Sequence, residues 1–218
     1  MPTLGYAIIG NYDTRDWGLQ LLNYDAPPPE AKTYYVDIPG GNGALDFSEA
    51  FGAPLYNNRT LTLTLVYPTD TDLPPRRKVE QIAGLIHGRA FRIWLSDEPT
   101  HYYDAGRCAV SVAYSGQRPV ITIEATCAPY RLKTVESYAL LTADDATLTA
   151  VLTNEGMPAM PVFVLSSNAT ITFGSVSHTA SAGTYQWPDI VLKQGDNTLT
   201  ITADSGATVA ISWQEGAL

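Results

Sequence analysis

Leu61-Thr62-Leu63-Thr64-Leu65-Val66-Tyr67 alternates apolar and mostly hydroxyl-bearing side chains over seven consecutive positions. A helix would scatter these leucines around its circumference. An extended strand puts them all on one face, so the run requires a sheet with one buried and one wet side. Any fold for this chain has to supply a second layer against that leucine face.

Upstream lies Tyr34-Tyr35-Val36-Asp37-Ile38-Pro39-Gly40-Gly41-Asn42-Gly43-Ala44-Leu45-Asp46-Phe47, where an apolar run breaks into a loop of Pro, Gly and Asn. Gly and Asn enter left-handed backbone regions at little steric cost, so this loop can hold a defined irregular shape. Further strands are expected at 31–38, 60–67, 90–95, 107–114 and 120–126. A single helix is expected between them, capped by Asp72, with Pro74 and Pro75 in its first turn and Gly88 after its last. Its apolar stripe is Val79, Ile82, Ala83 and Ile86, which fits a helix covering a sheet. The strands 107–114 and 120–127 read as a hairpin paired so that residue numbers sum to 235. That pairing sets Cys108 opposite Cys127 on the apolar face and leaves Ser111 and Glu124 on the other.

The second half reads as short strands at 147–153, 161–165, 169–173, 176–179, 190–192, 198–203 and 207–213, punctuated by Gly, Asn and Asp turns. A last hairpin pairs Leu199 with Ile211, Ile201 with Val209 and Ala203 with Ala207. The fold class expected is therefore mainly β, with two domains: strands with one helix (1–134) and a smaller C-terminal β-sandwich (135–218). Charge marks the same division. Residues 1–134 carry 12 Lys+Arg against 14 Asp+Glu, net −2, whereas 135–218 carry Lys193 against 8 acids, net −7. So acidic a half is a poor surface for phosphate contacts, which argues against nucleic-acid binding there.

Chemical signatures are sparse. His87, His101 and His178 lack the close spacing of metal ligands, and Gly40-Gly41-Asn42-Gly43 lacks the Lys and following helix of a phosphate loop. No Ser or Cys carries a nucleophile motif. The carboxylate pairs Asp97-Glu98 and Asp144-Asp145 have glycosidase composition, but they flank turns, where Asp is favoured for backbone hydrogen bonding. No enzyme, cofactor or metal is expected. Two buried, reduced thiols are favoured over a cross-strand disulfide, because Met1 to Asn11 has no signal-peptide pattern and synthesis in a cytoplasm is the default. No apolar run reaches the roughly 18 residues of a membrane span, so no membrane partner is expected. Tyr185-Gln186-Trp187-Pro188-Asp189 sets aromatic rings beside an amide and a carboxylate, the side chains that stack on and bond a sugar. Gln186, Trp187 and Asp189 are thus candidate glycan contacts, against the alternative of a Trp anchoring a loop on the core.

The loop after Tyr34-Tyr35, the Leu/Thr strand, the single helix ending Leu85-Ile86-His87-Gly88-Arg89, the entry Tyr102-Tyr103-Asp104-Ala105-Gly106-Arg107 and the close Thr126-Cys127-Ala128-Pro129-Tyr130-Arg131 resemble, in order and spacing, the siphophage distal tail protein family. Asp16-Trp17-Gly18-Leu19 followed by Pro27-Pro28-Pro29 is similar to that family's first strand and proline connector. The resemblance spans residues 4–133. It implies that the first domain is a tail-tube-like β-sandwich with one helix, six copies of which close into a ring joining the tail tube protein to tail-tip or receptor-binding proteins, with a channel that lets DNA pass. It also implies a virion tail-tip location and an outward second domain, galectin-like in many members. On this reading Pro39, Gly40, Gly41, Asn42, Gly43, Leu45, Tyr56 and Arg59 are expected at the contact between subunits. A glycan-binding adhesin module is the alternative from another functional class.

Overall fold

The computed structural model describes residues 5–50, 54–69, 72–143 and 147–218. It is mostly β-strand and falls into two compact units, residues 1–131 with Leu218, and Leu132–Ala217.

The first unit holds β1 (Ala7–Ile9), β2 (Tyr12–Asp13), β3 (Gln20–Asp25), β4 (Tyr35–Asp37), β5 (Ala44–Asp46), β6 (Arg59–Val66), α1 (Arg76–Ile86), β7 (Phe91–Leu95), β8 (Glu98–Ser115) and β9 (Arg118–Lys133). Its main sheet runs β2-β1-β7-β8-β9-β6-β3. The leucine run lies on β6, between β9 and the edge strand β3: Leu61, Leu63 and Leu65 are fully buried, while Thr60, Thr62 and Thr64 face the other way. Opposite them on β9 stand Ala125, Ile123 and Ile121, buried to the same degree. Helix α1 adds Val79, Ile82 and Ile86 to this core; Ala83 is half-buried. Removing one of these buried leucines to Ala would cost about 2–5 kcal/mol.

Several local expectations are corrected here. Asp72 does not cap α1. The N-cap is Pro75, extended at φ −58° and ψ 143°, with no side-chain cap. Each proline disfavours helical backbone in the residue before it, so Leu73 and Pro74 are held out of the helix and the first turn waits until Pro75 has passed. Asp16 and Trp17 are not strand but part of a 3-10 turn, Thr14–Trp17, capped by Asp13 and closed by Gly18 at φ 74°. The strand expected at 31–38 shrinks to Tyr35–Asp37, and Ala31 makes only an isolated bridge to Tyr56. The reversal between β8 and β9 falls at Gly116-Gln117, with Gly116 at φ 64°, one residue earlier than the sum of 235 requires. A pairing moved by two residues keeps the same faces buried, so Cys108 and Cys127 still point inward, and both are free thiols.

The second unit holds β10 (Ser137–Thr142), β11 (Thr147–Asn154), β12 (Val162–Leu165), β13 (Ala169–Phe173), β14 (Val176–Ala180), β15 (Gly183–Tyr185), β16 (Gly195–Ala203) and β17 (Thr208–Trp213). Two four-stranded sheets, β10-β17-β12-β15 and β11-β16-β13-β14, enclose a core of Phe163, Leu165, Ile171, Leu199, Ile201, Val209 and Ile211. The hairpin expected between the last two strands does not exist. β16 pairs with β11 and β13, whereas β17 pairs with β10 and β12 in the other sheet. Leu199, Ile201, Val209 and Ile211 do share one core, but across the sandwich rather than along a ladder. A period of two identifies an inward face and says nothing about which layer supplies it.

Candidate assembly interface

The loop read from sequence as a structured excursion is the turn of a separate two-stranded ribbon. β4 and β5 pair only with each other, Tyr35 opposite Asp46, Val36 opposite Leu45 and Asp37 opposite Ala44. The turn uses Gly40 and Gly43 at φ 78° and 79°, where a side chain would be strained, and Gly41 N–H donates to Ile38 O. At its root Phe47 N–H donates to Tyr34 O, Tyr34 N–H to Ser48 Oγ, and Ser48 N–H to Asp46 Oδ1. The Ser48 side chain and backbone hold the Asp46 carboxyl below the ordinary aspartate range. Two backbone bonds, Lys32 N–H to Leu55 O and Asn57 N–H to Glu30 O, tie the arm to the body.

The arm's apolar side chains lie open among the described residues. Tyr34 is 65% exposed and Tyr35 58%, and Val36, Ile38, Leu45 and Phe47 are exposed with them. Tyr34, Phe47 and Leu55 also line an apolar groove of about 330 Å³. An isolated hairpin is marginal in water, and six large apolar side chains on one ribbon form a patch of the kind that marks interaction surfaces. Tyr35, Val36 and Asp37 of β4 and Ala44, Leu45 and Asp46 of β5 are all exposed, so neither strand turns a face to a core.

Pro39, Gly40, Gly41, Asn42, Gly43 and Leu45 all lie on the exposed arm. Tyr56 and Arg59 do not. Tyr56 is half-buried at the arm's base, with its ring edge-on to Tyr130 at 6.0 Å. Arg59 is 6% exposed; its Nη2 donates to Ala26 O and its guanidinium lies 5.4 Å from the Tyr103 ring. It begins β6, and the period that buries Leu61 buries Arg59 as well.

The aromatic cluster in the second unit is engaged internally. Trp187 stacks parallel to His178 at 4.8 Å and to Tyr185 at 5.4 Å, and packs on Phe163 of the core at 5.2 Å. Asp189 accepts from His178 Nε2 at 2.9 Å, and Gln186 donates to Met160 O. Trp187, Asp189 and Gln186 thus each have a partner within the chain, with Trp187 half-buried and Gln186 and Asp189 exposed. Asp97 accepts from Tyr24 Oη, a bond that with burial raises that phenol to about 12, and Glu98 holds Arg131 and His101. Asp144 and Asp145 lie outside the described residues. Among the described residues no group of three or more His, Cys, Asp or Glu has the arrangement of a metal site.

No family model matches this sequence, and no curated protein does. The fold is shared with a solved structure, the Dit protein (gp 19.1) of phage SPP1, described as a paradigm of the hub adsorption apparatus in phages infecting Gram-positive bacteria. The likeness covers 99% of this chain and 100% of that one, with a TM-score of 0.69 and 15% identity.

Proposed function

We propose that this chain is the structural hub of a phage or prophage tail tip. Six copies close through their first units into a ring that joins the tail tube protein to tail-tip or receptor-binding proteins. The ring leaves a channel for DNA, and the protein is a non-enzymatic part of the virion tail. The observation that carries this reading is the agreement of fold with a phage hub protein over the whole chain rather than over one unit. The uncovered arm supports it independently, since a ring subunit must present apolar surface that only a neighbour covers. The net charge of −7 across residues 135–218 repels phosphate, so this half is not a nucleic-acid-binding surface in the proposal. In this proposal residues 135–218 form a peripheral domain. The adhesin reading draws no comparable support, given how Trp187 is engaged. Negative-stain imaging of the purified chain is the test: closed six-fold rings with an open centre are expected, whereas two-fold dimers or open filaments would contradict the hub.

A further inference from the structure

The arm has a counterpart elsewhere on the same unit. From Tyr34 to Ala50 the chain carries Asp37, Asp46 and Glu49 and no Lys or Arg, so the exposed apolar ribbon is also acidic. At the start of α1 the opposite combination occurs. Arg76, Arg77 and Lys78 are consecutive and exposed, outnumbering the exposed acids Asp72 and Glu80 beside them, and the helix start adds its own partial positive charge with no side-chain cap. Beside them Leu73 is 38% and Tyr114 42% exposed, and the Arg76 guanidinium lies 5.0 Å from the Tyr114 ring, so cations and apolar groups form one patch. Among the described residues, arm and patch are both exposed.

We propose that the arm of one copy docks on the Leu73, Arg76, Arg77, Lys78 and Tyr114 corner of the next copy. This rests on the reading of the arm as a subunit contact and names the surface that receives it. Two different patches meeting head to tail make a heterologous contact, which leaves a free arm and a free corner after every addition until a ring closes. The apolar groups on both sides supply burial, while the opposed charges fix which surface is chosen and hasten the encounter.

Charge inversion at exposed positions tests this in the full chain. Asp37→Lys with Glu49→Lys inverts the arm; Arg76→Glu with Lys78→Glu inverts the corner. Sedimentation velocity is expected to show each variant associating about tenfold or more weakly than the wild type, with an unchanged thermal melt. Mixing the two is expected to restore assembly, because every arm then finds a corner of opposite charge on the other variant. Inversions that leave assembly at its wild-type strength would overturn the docking site and leave the ring reading standing. Folded variants that weaken alone but are not rescued by mixing would also overturn it. A wild-type chain that stays monomeric at every accessible concentration would remove the ring reading, and this inference with it.

Discussion

Arg59 is a buried cation with no carboxylate partner among the described residues. Its Nε and Nη1 are buried without a hydrogen-bond partner, and its contacts are one carbonyl and the face of Tyr103. Orphaned buried donors each cost about 1–3 kcal/mol, so the side chain's worth to this chain lies in the volume it fills. Arg59→Met should therefore match or exceed wild-type stability in urea unfolding, while Arg59→Ala should lose about 2–4 kcal/mol. Equal losses in both would show that the charge itself is needed. The cysteines make a second case. Burial, with a smaller contribution from the neighbouring Cys108, pushes the Cys127 thiol up to about 12, and burial raises Cys108 as well. Folded protein at neutral pH should resist alkylation, and unfolded protein without reductant should take two labels. Because the folded value lies above the unfolded one, about 8.5, this contribution is complete below that pH and is lost as pH rises from there towards 12. An unfolding free energy flat across that window would contradict the burial.

At the scale of elements, what could be read from the sequence depended on whether its cause was local. The Leu61–Tyr67 alternation locates a strand and its inward face because pleating alone imposes period two. Gly88 at φ 75° ends the helix for an equally local reason. The same alternation could not assign Leu199 and Ile211 to opposite sheets, since packing across a sandwich and pairing along a ladder bury identical faces. The helix start failed differently: Asp72 has the chemistry of a cap, but the tandem prolines after it act on backbone geometry first. The edge strand β15 was missed because Gly183-Thr184-Tyr185 is three residues long and has no pattern to recognise. It places Tyr185 against Trp187, and this is why the aromatic cluster reads as structure. Trp187→Ala should cost about 2–4 kcal/mol, less than a fully buried Trp, and should not alter binding on a glycan array. Glycan signals abolished by this change in a chain of unaltered stability would restore the adhesin reading.

At the scale of the whole molecule, exposed apolar surface is what distinguishes this chain. Both units have complete cores, so folding of the chain does not explain why the ribbon Tyr34–Phe47 stands in water with its apolar side chains exposed. Its position in the chain was legible as a loop rich in Pro and Gly. Its exposure was not, because whether a side chain meets a core depends on the layers around it and not on its neighbours in sequence. Tyr34→Ser, Tyr35→Ser and Phe47→Ser together remove most of that apolar area from positions that contribute nothing to either core. Native mass spectrometry of the full chain and of this triple variant tests the central claim directly. The account predicts a wild-type species at six times the 23.6 kDa of one chain and a folded variant at the mass of one. A variant that still assembles like the wild type, or a wild type found only at the mass of one chain, would contradict it.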